Sequence, residues 1–75
     1  MSRIDPKWEN ALEHQTDLAT LVGYIKEARA ALIQAGKDLN KPEVAGLRIR
    51  ESERQSHPVE LLRSILEGIR SLEES

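Results

Sequence analysis

The sequence predicts an all-α protein, in which a long N-terminal helix packs against a shorter antiparallel C-terminal helix as a helical hairpin or a small three-helix arrangement. Three observations predict this fold. Apolar residues recur at helical spacing from Asp5 to Gly36, and a second apolar stripe follows Pro58. The core-forming residues are almost all aliphatic, with one Trp, one Tyr and no Phe. An aliphatic core of this kind suits helix-on-helix packing.

The first predicted helix spans about residues 6–35. Asp5 is a suitable N-cap, Pro6 fits the first helical position, and Gly36 follows the last periodic residue. At 1.5 Å per residue, about 30 residues give a helix of about 45 Å, longer than the rest of the chain can cover. We therefore expect part of its apolar face to contact another protein surface. That face carries Trp8, Ala11, Leu12, Leu18, Ala19, Val22, Ile25, Leu32 and Ile33.

Two positions of this apolar face, Gln15 and Arg29, are polar. Either the helix tolerates them near its edges, or they fix register or partner choice as polar residues do in coiled coils. The opposite face carries acidic residues at four-residue spacing, which repel one another by about 0.2–0.5 kcal/mol per pair. It is either a solvated acidic face or a ridge that meets a basic surface. These acids are Asp5, Glu9, Glu13 and Asp17.

Residues 37–56 are predicted to form a linker or a short helix. A capping arrangement from Asn40 to Glu43 favours a helix over about 41–54, whereas the alternation of apolar and basic residues over 47–50 favours an extended segment. Its positive charges either pair within the chain or belong to a docking segment that orders on binding. These charges are Lys37, Lys41, Arg48, Arg50 and Arg54.

The last predicted helix spans about 58–73, where Ser56 or His57 caps and Pro58 opens the helix. Its continuous apolar stripe consists of Leu61, Leu62, Ile65, Leu66, Ile69 and Leu72. Gly68 borders the stripe, where it either allows close approach of a neighbouring helix or costs about 1 kcal/mol relative to Ala. Because this helix is about half as long as the first, it would leave half of the first bare. That mismatch predicts a homodimer.

No residue pattern indicates catalysis, and we expect no enzyme, no cofactor and no metal. The available bases are His14 and His57, and the chain has no Cys. His14 lies three residues before Asp17, without the His-x-x-x-His spacing of a zinc helix. The four glycines form no phosphate-binding fingerprint.

The composition predicts a cytoplasmic protein that forms one interaction domain over 1–75. The N-terminus has no apolar segment typical of a signal peptide, and no run approaches the ~18 apolar residues that span a bilayer. We therefore expect no membrane association. The net charge of −2 gives no electrostatic attraction to nucleic acid, which makes nucleic acid an unlikely partner.

These observations predict a small non-enzymatic regulator or adaptor that binds another protein through helical surfaces and sequesters or inhibits it. Two alternatives stay open: a DNA-binding transcriptional regulator that uses residues 40–54, and a structural subunit of a larger assembly. The predicted partner or dimer interface comprises Trp8, Leu12, Gln15, Leu18, Val22, Ile25 and Arg29 of the first helix, with Arg48, Arg50 and Arg54 of the middle segment.

Overall fold

A computed structural model describes residues 3–41 and 56–74 of the chain. Within these two ranges the chain forms three α-helices and no β-strand: α1 is Pro6–Glu13, α2 is Leu18–Asp38 and α3 is Pro58–Glu74. The all-helical class that the sequence predicts is therefore confirmed for the described residues.

The single helix predicted over 6–35 is wrong, because the chain leaves the helical conformation at His14 and enters it again at Leu18. The backbone of His14 is extended, with φ −123° and ψ 154°. Asp17 is the N-cap of α2: its carboxylate accepts hydrogen bonds from the backbone N of Thr20 (3.2 Å) and from the Thr20 hydroxyl (2.8 Å). Such a cap satisfies an amide that has no partner inside the helix. Asp17 therefore begins a helix and does not extend the acidic face.

The C-terminal end of α2 also lies later than the sequence predicts. Gly36 is buried within the helix, which continues to Asp38. Asn40 then takes the left-handed conformation (φ 57°), and the backbone N of Lys41 donates to the carbonyl of Gly36. Asn tolerates this conformation because its short polar side chain bonds locally. Asn40 thus ends α2, where the sequence suggested the cap of a following helix.

The beginning of α3 agrees with the sequence. Pro58 is its first residue, and the carbonyl of His57 accepts a hydrogen bond of 2.9 Å from the backbone N of Leu61. Proline suits this position because its missing N–H would have no helical partner there.

One apolar core lies where the three helices meet. On α2 the buried residues follow one another at spacings of four and three, which places them along one side of the helix. Among the described residues no polar or charged side chain is buried. The core consists of Trp8 and Ala11 from α1, Leu21, Ile25, Ala28, Leu32 and Ala35 from α2, and Leu62, Ile65, Leu66 and Ile69 from α3.

The C-terminal ends of α2 and α3 lie at the same end of the molecule, close to the residues that precede α1. The guanidinium of Arg3 donates to the carboxylate of Asp38 at 2.9 Å, and the backbone N of Arg3 donates to the carboxylate of Glu73 at 2.7 Å. Asp38 is the last residue of α2, and Glu73 is the penultimate residue of α3.

The other end of α1 faces the early turns of α2 and α3. His14 shares the lining of one cleft with Tyr24, and Glu13 shares the lining of a second cleft with Arg63. Helix α1 is therefore antiparallel to both other helices, and α2 and α3 run in the same direction. The prediction of an antiparallel C-terminal helix is wrong; the helical hairpin of this structure is formed by α1 and α2.

The lengths of the packed helices are similar, since α2 has 21 residues and α3 has 17. The twofold mismatch in length came from treating α1 and α2 as one helix. A difference in helix length therefore no longer supports the predicted homodimer.

Candidate interaction surface

Helix α1 is attached to both of its neighbours by ion pairs at the surface. The ammonium of Lys7 lies 2.9 Å from the Glu27 carboxylate on α2, and Glu9 pairs with the guanidinium of Arg70 on α3. The hydrogen bond to Glu27 raises the pKa of Lys7 above its ordinary value. All four side chains are about half exposed, so water and salt weaken the attraction, and the pairs mainly orient α1.

A cleft of about 430 Å³ lies between α1 and α2 and is largely open to solvent. The ammonium of Lys7 lies 5.6 Å from the centroid of the Tyr24 ring, a cation–π distance. His14 is exposed, and its Nδ1 lies 3.1 Å from the carbonyl oxygen of Asn10. This contact ties the imidazole to its own helix, and the hydroxyl of Thr16 in the same cleft donates to the backbone carbonyl of His14 at 3.2 Å. The lining consists of Lys7, Asn10, Ala11, His14, Thr16 and Tyr24.

A second cleft, of about 330 Å³, lies between α1 and α3. Its walls carry charges of both signs, and Leu12 is the one large apolar side chain among the described residues that line it. Carboxylates and guanidinium groups that alternate in this way satisfy one another or bind water, so the cleft does not attract a ligand of one charge. The lining consists of Glu9, Leu12, Glu13, Arg63, Glu67 and Arg70.

Two of the predicted interface residues lie inside the molecule. Trp8 is 5% exposed and Ile25 is fully buried, and both belong to the core shared by the three helices. The indole nitrogen Nε1 of Trp8 is buried and finds no hydrogen-bond partner among the described residues. As long as α1 stays packed, these two side chains stabilise this chain and are not available to another.

The other predicted residues of the N-terminal half reach the surface. Leu18 is 47% exposed and Gln15 is exposed, whereas Leu12, Val22 and Arg29 are half-buried. The predicted Arg48, Arg50 and Arg54, and the helix predicted around them, lie outside the described residues.

Four residues of α2 form what we call the outer stripe: Leu18, Val22, Arg29 and Ile33. Their spacings of four, seven and four residues place them on one side of the helix, adjacent to the buried row. Ala19, which is exposed, lies beside the first two. The N-terminal turn of α2 therefore presents an apolar patch to solvent.

The sequence did not identify Leu39 or the residues that attach α1. Leu39 is 40% exposed just after α2, beyond the end that the periodicity predicted. The partners Glu9 and Arg70 are 61 residues apart, so their pairing depends on the relative direction of the helices.

Other classes of site receive no support from the described residues. No group of three or more metal-ligating side chains occurs among them, and none of their helices is long and apolar enough to cross a membrane. Comparison of the chain with protein-family models, with curated proteins and with solved structures gives no significant match. The interpretation of the surface therefore depends on its own residues.

Proposed function

We propose that this protein is a small non-enzymatic regulator or adaptor, which binds another protein through the outer stripe of α2 and thereby sequesters or inhibits it. The observation that supports this proposal is the exposure of Leu18 at the N-terminal end of that stripe. Leu18 and Leu39 are the two exposed large apolar side chains among the described residues.

The surroundings of the two exposed leucines differ. Leu18 has exposed Ala19 beside it and half-buried Val22 one turn further on, so it belongs to a continuous apolar patch. Leu39 lies between exposed Asp38 and exposed Asn40. A single exposed leucine is ordinary, whereas apolar residues that are contiguous on one helix face are typical of an interaction site.

The shape of the outer stripe suits a partner helix with an aliphatic stripe of its own. Residues spaced by four along one side of α2 form a ridge that fits between the ridges of another helix. The proposed partner therefore presents Leu, Ile or Val at spacings of three and four residues, as in helix-in-groove recognition. The non-enzymatic part of the proposal is supported by the openness of both clefts beside α1, because nucleophilic catalysis requires a site that excludes water.

The test is affinity capture from nuclease-treated lysate of the source cell with three versions of the chain: wild type, Leu18→Gln and Leu39→Gln. Both substitutions replace an exposed leucine at an end of α2, so Leu39→Gln is a matched control. A leucine buried in an interface contributes about 1.5–3 kcal/mol, so Leu18→Gln should weaken binding about 10- to 100-fold. Leu39→Gln should bind like wild type.

The proposal requires one stoichiometric protein partner that wild type and Leu39→Gln retain and Leu18→Gln loses. A partner that both variants retain would show that binding does not use the outer stripe. Recovery of the bait alone, with a doubled mass in light scattering, would indicate a homodimer. Binding to DNA that weakens steeply between about 50 and 200 mM salt would favour the transcriptional regulator.

A further inference from the structure

We infer that α1 is a detachable helix: it separates from α2 and α3 as a unit while those two helices stay packed. This inference goes beyond the proposed function and does not require a partner. It depends on three features of α1, which are its length, its buried indole and its polar attachments.

Helix α1 is too short to persist by itself. It has eight residues, and isolated helices shorter than about 12–15 residues are marginal in water. Only two of its residues, Trp8 and Ala11, are buried. The residues between Glu13 and Leu18 are not helical, so α1 can move without bending α2. Packing against α2 and α3 is thus what maintains α1.

That packing leaves one polar group unsatisfied. The Nε1–H of Trp8 is buried and has no hydrogen-bond partner in the described part of the chain. A buried donor without an acceptor loses the hydrogen bond that it would make to water, whereas the apolar part of the indole gains from burial. When α1 separates, Trp8 loses the apolar contacts but regains a hydrogen bond to water. The two effects oppose each other, so the burial of Trp8 stabilises the packed position of α1 by less than its apolar area alone would give.

The remaining attachments of α1 are sensitive to salt. The pairs of Lys7 with Glu27, of Glu9 with Arg70 and, just before α1, of Arg3 with Asp38 join half-exposed side chains, whose attraction is screened by added ions. The packing of α2 against α3 instead uses fully buried aliphatic side chains, which salt does not screen. These are Ile25, Leu62, Leu66 and Ile69. Separation of α1 therefore requires less free energy than separation of α2 from α3.

Native-state hydrogen exchange of the full chain, followed by NMR, tests this inference. The amides of Ala11 and Leu12 should exchange at least about tenfold faster, relative to their intrinsic rates, than the amides of Ile25 and Leu66. The indole N–H of Trp8 should share the opening equilibrium of the Ala11 amide, because both become accessible in the same event. An increase from about 50 to 500 mM NaCl should accelerate α1 and leave the other two helices unchanged.

A pair of variants supplies the control. Arg70→Gln removes the ion pair with Glu9 and should accelerate exchange in α1 alone. Lys26→Gln makes the same charge change on α2, at an exposed residue that forms no ion pair within the described part of the chain and lines neither cleft, and it should have little effect. Equal protection of all three helices would overturn the inference. It would also be overturned if the Trp8 indole N–H exchanged with the core amides while the α1 backbone exchanged early, since that pattern is simple fraying.

Discussion

The substitution Gly68→Ala should stabilise the protein, although Gly68 lies in a helix that packs closely against another. A Cβ atom built at Gly68 lies 3.5 Å from both Cδ atoms of Leu32, which is an ordinary van der Waals distance. The methyl group therefore fits without moving α2. Alanine gains about 0.8–1.0 kcal/mol over glycine within a helix, and partial burial of the methyl adds to this gain. We expect the free energy of unfolding to rise by about 1–1.5 kcal/mol.

Gly23→Ala is the matched reference. Gly23 also lies within a helix, and a Cβ atom there would meet nothing within 4 Å. Its substitution by alanine should therefore raise the free energy of unfolding only by the difference in helix propensity, about 0.8–1.0 kcal/mol. Thermal and urea denaturation followed by circular dichroism give both changes. A gain of about 1 kcal/mol corresponds to an increase in Tm of about 4–8 °C for a domain of this size.

The comparison of the two variants separates the effect of helix propensity from the effect of packing against Leu32. If Gly23→Ala raises the Tm and Gly68→Ala lowers it, the contact with Leu32 is tighter than the structure shows. The close packing of α3 on α2 would then require glycine at position 68, and the expected stabilisation by Gly68→Ala would be refuted.

Three further results follow from the caps and the core. Asp17→Ala should lower the urea midpoint at neutral pH, because the amide and hydroxyl of Thr20 lose their acceptor; an unchanged midpoint would argue against a separate start for α2. The hydroxyl of Thr20, and then its amide, hold the pKa of Asp17 below its ordinary value of 3.8. The stability that ionised Asp17 contributes is complete above pH 3.8 and is lost as the pH falls through its folded-state pKa. The urea midpoints of wild type and Asp17→Ala should therefore converge in acid. Leu66→Ala should cost about 2–5 kcal/mol in unfolding free energy, because Leu66 is 1% exposed. Leu61→Ala, at a half-buried position on the same helix, should cost clearly less, and equal losses in chemical denaturation would contradict the described core.

The residues that begin α1 and α3 could be predicted from the sequence, but the interruption of the helix at His14 could not be found from periodicity. Asp5 with Pro6, and Pro58, mark the starts of α1 and α3 in both the sequence and the structure. The residues between α1 and α2 are four in number, about one helical turn, so the apolar phase continues across the break. Asp17 was the available indication, because aspartate is among the residues preferred at the N-cap of a helix.

The direction of α3 relative to α2 could not be predicted, because a stripe of apolar residues does not indicate which way its helix runs. The same stripe of Leu62, Ile65 and Ile69 packs equally well on a parallel or an antiparallel neighbour. The contacts of Arg3 with Asp38 and Glu73 reveal the direction, and they join residues 35 and 70 positions apart. The same limit applies to Trp8. Its spacing places it on the apolar face of a helix, but whether it is buried within the chain depends on the position of α3.

The environment of Trp8 gives the molecule an intrinsic optical probe. It is the only tryptophan of the chain, and within residues 3–41 and 56–74 its indole lies in an aliphatic surrounding without a hydrogen bond to Nε1. An indole in such a medium emits at short wavelength, and its emission moves to longer wavelength when water reaches the ring. The emission spectrum therefore distinguishes packed from separated α1 without any label, and stopped-flow measurements on the unmodified protein can time that step.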